Sequence, residues 1–110
     1  KMAKISDKAK QIAKKYVAEA RKKIKVEKAL LFGSAARQKM TKDSDIDLII
    51  ISGQFKKMGL IKRAVLLSRI RGEKFIDWPM DILGYTEKEF EELSAVSSMF
   101  SEAKKQGIEI

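Results

Sequence analysis

Apolar residues recur every three or four positions near the start of the chain. Ala9, Ile12, Ala13, Tyr16, Val17, Ala20 and Ile24 form one stripe, lysines fill the other side, and Ser6 stands where an N-cap would. The spacing predicts an amphipathic helix. Val26 to Phe32 and Ile46 to Ile51 are short apolar runs, the second rich in β-branched residues, and both predict buried strands. Gly53 to Gly72 predicts a loop and then a helix through Leu60, Ile61, Ala64, Val65 and Leu67, with Arg and Lys outward and Gly72 as terminator. Phe75 to Leu83 predicts a third strand; Pro79 has no N–H for a ladder and belongs at its start or on an edge. Thr86 and Glu89 form a capping-box pair for a last helix through Phe90, Leu93, Val96, Phe100 and Ala103. Gly107 ends it, and Ile108 to Ile110 predicts a short final strand.

Helix, strand, loop, strand, helix, strand, helix implies a small α/β (α+β) fold, a sheet covered by helices. The 110 residues show no repeat, low-complexity tract or linker, so one domain over 1–110 is expected. That length leaves no room for a separate substrate domain, and a partner would have to present whatever the chain acts on. No apolar run approaches the roughly 18 residues of a membrane span, and the Lys-rich start lacks a signal peptide's apolar segment. A cytoplasmic protein with no membrane partner is the expectation.

Composition narrows the chemistry. The chain has no Cys and no His, which excludes disulfides, thiolate nucleophiles, zinc sites of the usual ligand types and imidazole acid/base catalysis. Carboxylates, Ser, Lys or Arg must carry any reaction. Asn is absent while Lys, Glu and Ile abound, which suits a thermophilic source. The net charge of +9 is uneven: residues 1–28 hold eleven basic and three acidic side chains, residues 86–110 three basic and six acidic. The basic end could attract phosphates, nucleic acid or an acidic protein; a solvated helix face is the plainer explanation.

Asp45 and Asp47 stand at the mouth of the greasiest run. On a strand, residues two apart share a side, about 6.5 to 7 Å apart along the chain, so the two acids face one way and Ile46 and Leu48 the other. Where solvation is partial, a divalent cation converts their repulsion into attraction; hard oxygen ligands favour Mg²⁺, with Mn²⁺ as alternative, bound with substrate phosphates. Asp81, opening the run Ile82-Leu83 on the next predicted strand, is the leading third acid, and Asp77 its rival. Upstream, Gly33 allows close backbone approach to a ligand and Ser34 offers hydroxyl and N–H donors, an arrangement that suits a nucleoside triphosphate. Alone, each has a plainer explanation: Asp-Ser-Asp as a capped turn before a strand, Gly-Ser as a turn. Lys39 and Lys42, in the loop between, are phosphate contacts or solvated lysines. Trp78 is a buried anchor or a surface on which a base stacks. Ser94, Ser97, Ser98 and Ser101 have no base nearby in sequence.

The segment GSAARQKMTKDSDIDLII resembles the nucleotidyltransferase signature of DNA polymerase beta, kanamycin nucleotidyltransferase and the minimal nucleotidyltransferases: Gly-Ser, then Asp-x-Asp after ten residues, here Ala35 to Ser44. MDILGYTEKEFEE resembles the minimal members' third-carboxylate strand and following helix, so the likeness covers nearly the whole chain. The resemblance implies the nucleotidyltransferase fold with a mixed sheet. It implies that Gly33 and Ser34 hold the triphosphate, with Arg37 as the retained phosphate contact. Asp45, Asp47 and Asp81 would bind two Mg²⁺, Asp81 also activating an acceptor hydroxyl. The products would be a nucleotidylated acceptor, with AMP from ATP, and pyrophosphate. Ala35 and Gln38 depart from the commonest minimal pattern, which has Arg and Gly there, and so predict a weaker hold on phosphate. Minimal members pair with helical HEPN-domain ribonuclease toxins and silence them by adding AMP to a Tyr, which implies an antitoxin role. Two rivals stand beside this: a non-catalytic partner-binding module of the same fold and, ranked last, a nucleic-acid-binding protein using the Lys-rich helix. A homo-oligomer stays open.

Overall fold

The computed structural model describes residues 5–41 and 43–110. Its elements are α1 (Ile5–Arg21), β1 (Lys28–Phe32), β2 (Ile46–Ile51), a 3-10 helix (Gly53–Lys57), α2 (Leu60–Arg71), β3 (Met80–Tyr85), α3 (Glu87–Val96), α4 (Ser98–Gln106) and β4 (Ile108–Glu109). The strands lie in the order β3-β2-β1-β4. β1 is antiparallel to β2 and to β4, while β2 and β3 run parallel, joined by the crossover through α2 that parallel pairing requires. The fold class expected from the sequence, a small mixed sheet flanked by helices, is the one found.

Helices cover both faces, which is why β2 is apolar at every position but one. Ala29, Leu31, Ile46, Leu48 and Ile50 pack against α1 and α2; Leu30, Phe32, Ile49 and Ile51 pack against α3 and α4. Each Ile or Leu so buried contributes about 1.5 to 3 kcal/mol. α1 buries the predicted stripe Ala9, Ala13, Tyr16, Val17 and Ala20. The Tyr16 hydroxyl donates to the Leu67 carbonyl at 2.8 Å and ties α1 to α2. Ser6 is no cap but lies buried within the helix, and Ile24 packs into the core from the turn beyond it.

α2 differs from expectation in which side faces in. Leu60 and Ile61 are 64% and 82% exposed, Ala64 and Val65 are exposed as well, and the buried stripe is Arg63, Leu66, Leu67 and Ile70. The physical reason is Arg63, only 5% exposed. Its Nε donates to the Met58 carbonyl at 2.9 Å, Nη1 to Gly84 O at 3.1 Å and Nη2 to Phe55 O at 2.6 Å; Nη1 and Nη2 also grip the Glu89 carboxylate at 2.7 and 3.0 Å. An inward-facing Arg with every direction occupied turns the helix against its hydropathy. Phe55 lies beneath this guanidinium, 5.5 Å from it, and against Gly84, where a Cβ would fall 2.7 Å from the ring.

β1 starts at Lys28, two residues later than expected. The third strand starts at Met80, not Phe75. Residues 72–77 form turns because Gly72 takes φ +53 and Arg71 Nη2 donates to the Phe75 and Trp78 carbonyls at 3.2 and 2.8 Å. Phe75 meets Tyr16 edge-on, and Trp78 is half-buried against the core. Pro79 directly precedes β3, an edge strand, as its missing N–H requires. The capping box forms: Thr86 Oγ1 accepts from Glu89 N–H at 3.2 Å and Glu89 Oε1 from Thr86 N–H at 2.8 Å. The predicted last helix is broken at Ser97, an extended residue that ends α3 and caps α4. On an unbroken helix Phe90 and Phe100 would sit about 80° apart; the break turns Phe100 back against Phe90 and Tyr85 and leaves Val96 exposed. Gly107 ends α4, and β4 follows. No described helix is long and apolar enough to cross a membrane.

Candidate active site

β1 ends at Phe32, and Gly33 turns the chain with φ +71. A Cβ there would collide with Asp47 Oδ2 and fall 3.3 Å from its Cγ, so glycine serves twice: it takes the left-handed conformation and lets the backbone touch the carboxylate. The next residues coil tightly. Gly33 O accepts from Arg37 N–H at 3.2 Å, Ser34 O from Lys39 N–H at 2.9 Å and Ala35 O from Gln38 N–H at 3.3 Å. Ala35 is thereby buried in the core, where the commoner Arg would not fit without rearrangement. Gln38 takes φ +56, the left-handed region that favours the glycine it replaces. Before β2, Ser44 Oγ accepts from Thr41 N–H at 3.0 Å and Thr41 Oγ1 from Asp43 N–H at 3.3 Å, so the capped turn read from Asp-Ser-Asp also exists. Lys39 is exposed; Lys42 lies outside the described residues.

Register then places the acids. Phe32 pairs with Asp47, and Asp47 pairs with Asp81, so one row crosses three strands on the α3/α4 face. Adjacent strands lie about 4.8 Å apart, which sets the two carboxylates side by side. Asp81 therefore stands against Asp47. Asp77 lines a different hollow with Lys8, Met40, Trp78 and Pro79. Asp45 lies one residue before β2 and is exposed, yet its charge still reaches Asp47.

Asp47 and Asp81 share a cleft of about 200 Å³ with Phe32, Gly33 and Arg37. Its far wall is α4, through Met99, Glu102, Ala103 and Gln106. Arg37 reaches across to Glu102 at 3.8 Å. Ser34, half-buried, is not among the lining residues. The α4 wall escaped sequence reasoning, because the break at Ser97 that aims it follows from packing, and nothing in the local pattern marks Glu102 or Gln106. Burial pushes the Asp47 carboxyl up to about 6, with Asp81 and Asp45 adding to the shift and Arg37 opposing it.

Such a carboxylate, crowded by like charges and faced by one cation, fits a divalent metal ion. Among the described residues no three acidic side chains converge closely enough to form a metal site unaided. Two protein carboxylates completed by substrate phosphates are the usual setting for Mg²⁺, and Asp47 and Asp81 fit that role. Asp45 is not among the residues lining that cleft.

A sheet covered by helices on both faces, with paired carboxylates beside a glycine turn, suits a phosphoryl- or nucleotidyl-transfer class of site. The chain belongs to the nucleotidyltransferase domain family, whose model matches residues 11–106. A candidate nucleotidyltransferase from Sulfolobus solfataricus, with a crystal structure at 1.40 Å, shares the fold at a TM-score of 0.67 and 23% identity, over 98% of this chain and 87% of that one. Comparison with curated proteins finds no match.

Proposed function

We propose that this nucleotidyltransferase moves AMP from ATP onto a hydroxyl of a partner protein, with Mg²⁺ bound at Asp47 and Asp81, Asp45 contributing charge, and Mn²⁺ as an alternative ion. The acceptor oxygen bonds to the α-phosphorus, the bond to the β-phosphate bridge breaks, and pyrophosphate leaves. Asp81, at the exposed end of the row, takes the hydroxyl proton. Arg37 meets the phosphates after release from Glu102, Gly33 keeps the backbone close beside Asp47, and Ser34 offers donors at the cleft's margin. A divalent ion would neutralise charge on the attacking and leaving oxygens, so a chain without His needs no imidazole. The observation that carries this reading is the pairing of Asp47 with Asp81 beside Gly33. The partner we propose is a helical HEPN-domain toxin, silenced by the modification.

Incubation with α-labelled ATP, Mg²⁺ and a lysate of the source organism is the test. Wild type is expected to label an acceptor, and Asp47→Asn and Asp81→Asn each to lose about a hundredfold or more in rate. An Asp45→Ala/Asp47→Ala variant that labels normally would refute transfer. One that labels nothing yet still neutralises the partner would support a module acting by contact alone.

A further inference from the structure

Asp81 lines two clefts. One is the cleft shared with Asp47; the other lies between α2 and β3 and is lined by Leu67, Ser68, Arg71, Met80, Asp81 and Ile82. β3 is an edge strand whose one sheet partner is β2. Ile46 N–H donates to Pro79 O and Ser52 N–H to Tyr85 O, and this alternation turns the backbone groups of Met80, Ile82 and Gly84 away from β2. Gly84 O is taken by Arg63. Met80 and Ile82 have no backbone partner among the described residues. α2 overlooks this open edge and carries no acid, and Arg71 is its cation lining the hollow.

We propose that the acceptor docks here as an extended peptide segment that adds a strand to the open edge of β3, with its hydroxyl residue opposite Asp81 and an acidic residue next to it on Arg71. The inference rests on the transfer reading above and specifies its substrate. Side chains opposite one another on paired strands point to one face, so a residue across from Asp81 continues the row Phe32, Asp47, Asp81 and brings its hydroxyl to the cleft that holds the nucleotide. Its immediate neighbours point to the other face, where Met80 and Ile82 pack and where Ser68 and Arg71 stand. Arg71 is bound to the 72–78 loop through Nη2, and among the described residues its Nε is the one buried side-chain polar atom without a hydrogen-bond partner. A carboxylate beside this guanidinium would meet the one cation that lines the hollow, whereas a lysine would be repelled.

Synthetic peptides test this without altering the fold. A Val- and Thr-rich segment is offered with Glu-Tyr-Glu, Lys-Tyr-Lys, Glu-Ser-Glu or Lys-Ser-Lys at its centre, together with α-labelled ATP and Mg²⁺. The acidic versions are expected to label roughly tenfold faster or better, a preference that shrinks in Arg71→Gln. Single N-methylation along the best peptide is expected to abolish labelling at alternate positions only, because one N–H in two faces β3. Amide NMR with the unlabelled peptide should shift Met80 and Ile82. Labelling that ignores flanking charge and N-methylation, yet needs Asp47, would overturn the docking mode and leave transfer intact. ATP binding with no peptide labelled would overturn it too. Protection of the Met80 and Ile82 amides that grows with protein concentration alone would assign the edge to a second copy of the chain. Absence of ATP binding would count against the transfer reading itself.

Discussion

Asp47 shows how a residue with a proposed functional role is held at the fold's expense. It is the only polar side chain in β2, its carboxyl is pushed up to about 6, and the first cause is burial. A carboxyl whose folded value exceeds its unfolded one binds more protons when folded, so stability falls as pH rises from about 4 through 6 and stays lowered above. In metal-free protein, Asp47→Asn should therefore raise stability at pH 7.5 by about 1 kcal/mol, discounted because the site is half solvated. Below pH 4 the two proteins should melt alike. Thermal unfolding across pH in chelator checks this; a gain that persists at pH 3.5 would mean that packing is responsible. Much of this residue's setting was legible in the sequence: an acid at the head of an apolar strand, the second of an Asp-x-Asp pair that begins ten residues after a Gly-Ser pair, is costly unless something needs it there. That Gly33 touches Asp47 was not legible, because the contact depends on the register of two strands.

Among elements, α2 is where hydropathy misled. Leu60, Ile61, Ala64 and Val65 form an apolar group, but Arg63 and its five hydrogen bonds fix the rotation of the helix. Three of its acceptors are carbonyls from the 3-10 helix, the turn after it and β3, and the Gly84 and Glu89 partners are long-range ones that no local pattern announces. Arg63→Ala should cost about 3 to 5 kcal/mol, since those carbonyls and Glu89 lose their common donor. Urea unfolding measures it, and a loss under about 1 kcal/mol would show that water replaces the guanidinium easily. Thr86 and Glu89, by contrast, were legible because a capping box is complete within four residues. Likewise the predicted final helix failed at Ser97 because its competing partners, Tyr85 and Phe90 on Phe100, belong to other turns.

At the scale of the molecule, charge runs counter to location. The chain is strongly cationic, with a net charge of +9, yet among the described residues the cleft gathers Asp47, Asp81 and Glu102 around one cation, Arg37, itself held by Glu102. A triphosphate alone meets repulsion there despite the overall sign. Calorimetry should find ATP binding weakened by roughly a hundredfold or more when divalent ions are chelated. Equal affinity with and without Mg²⁺ would place the nucleotide elsewhere, for example on the lysines of α1. Architecture was largely legible, because the alternation of short apolar runs with three-four stripes leaves few arrangements. The α4 wall was not, since its direction depends on how the second core closes.

The row from Phe32 through Asp47 to Asp81 joins residues that lie far apart along the chain. Synthesis delivers Gly33 and Asp47 early, but their companion arrives only after α2 has crossed over and β3 has docked beside β2. If the proposed transfer runs through this row, activity becomes a report on the slowest kind of strand pairing, and a nascent or frayed molecule lacking that last step would still hold half a site, silent until the sheet is whole.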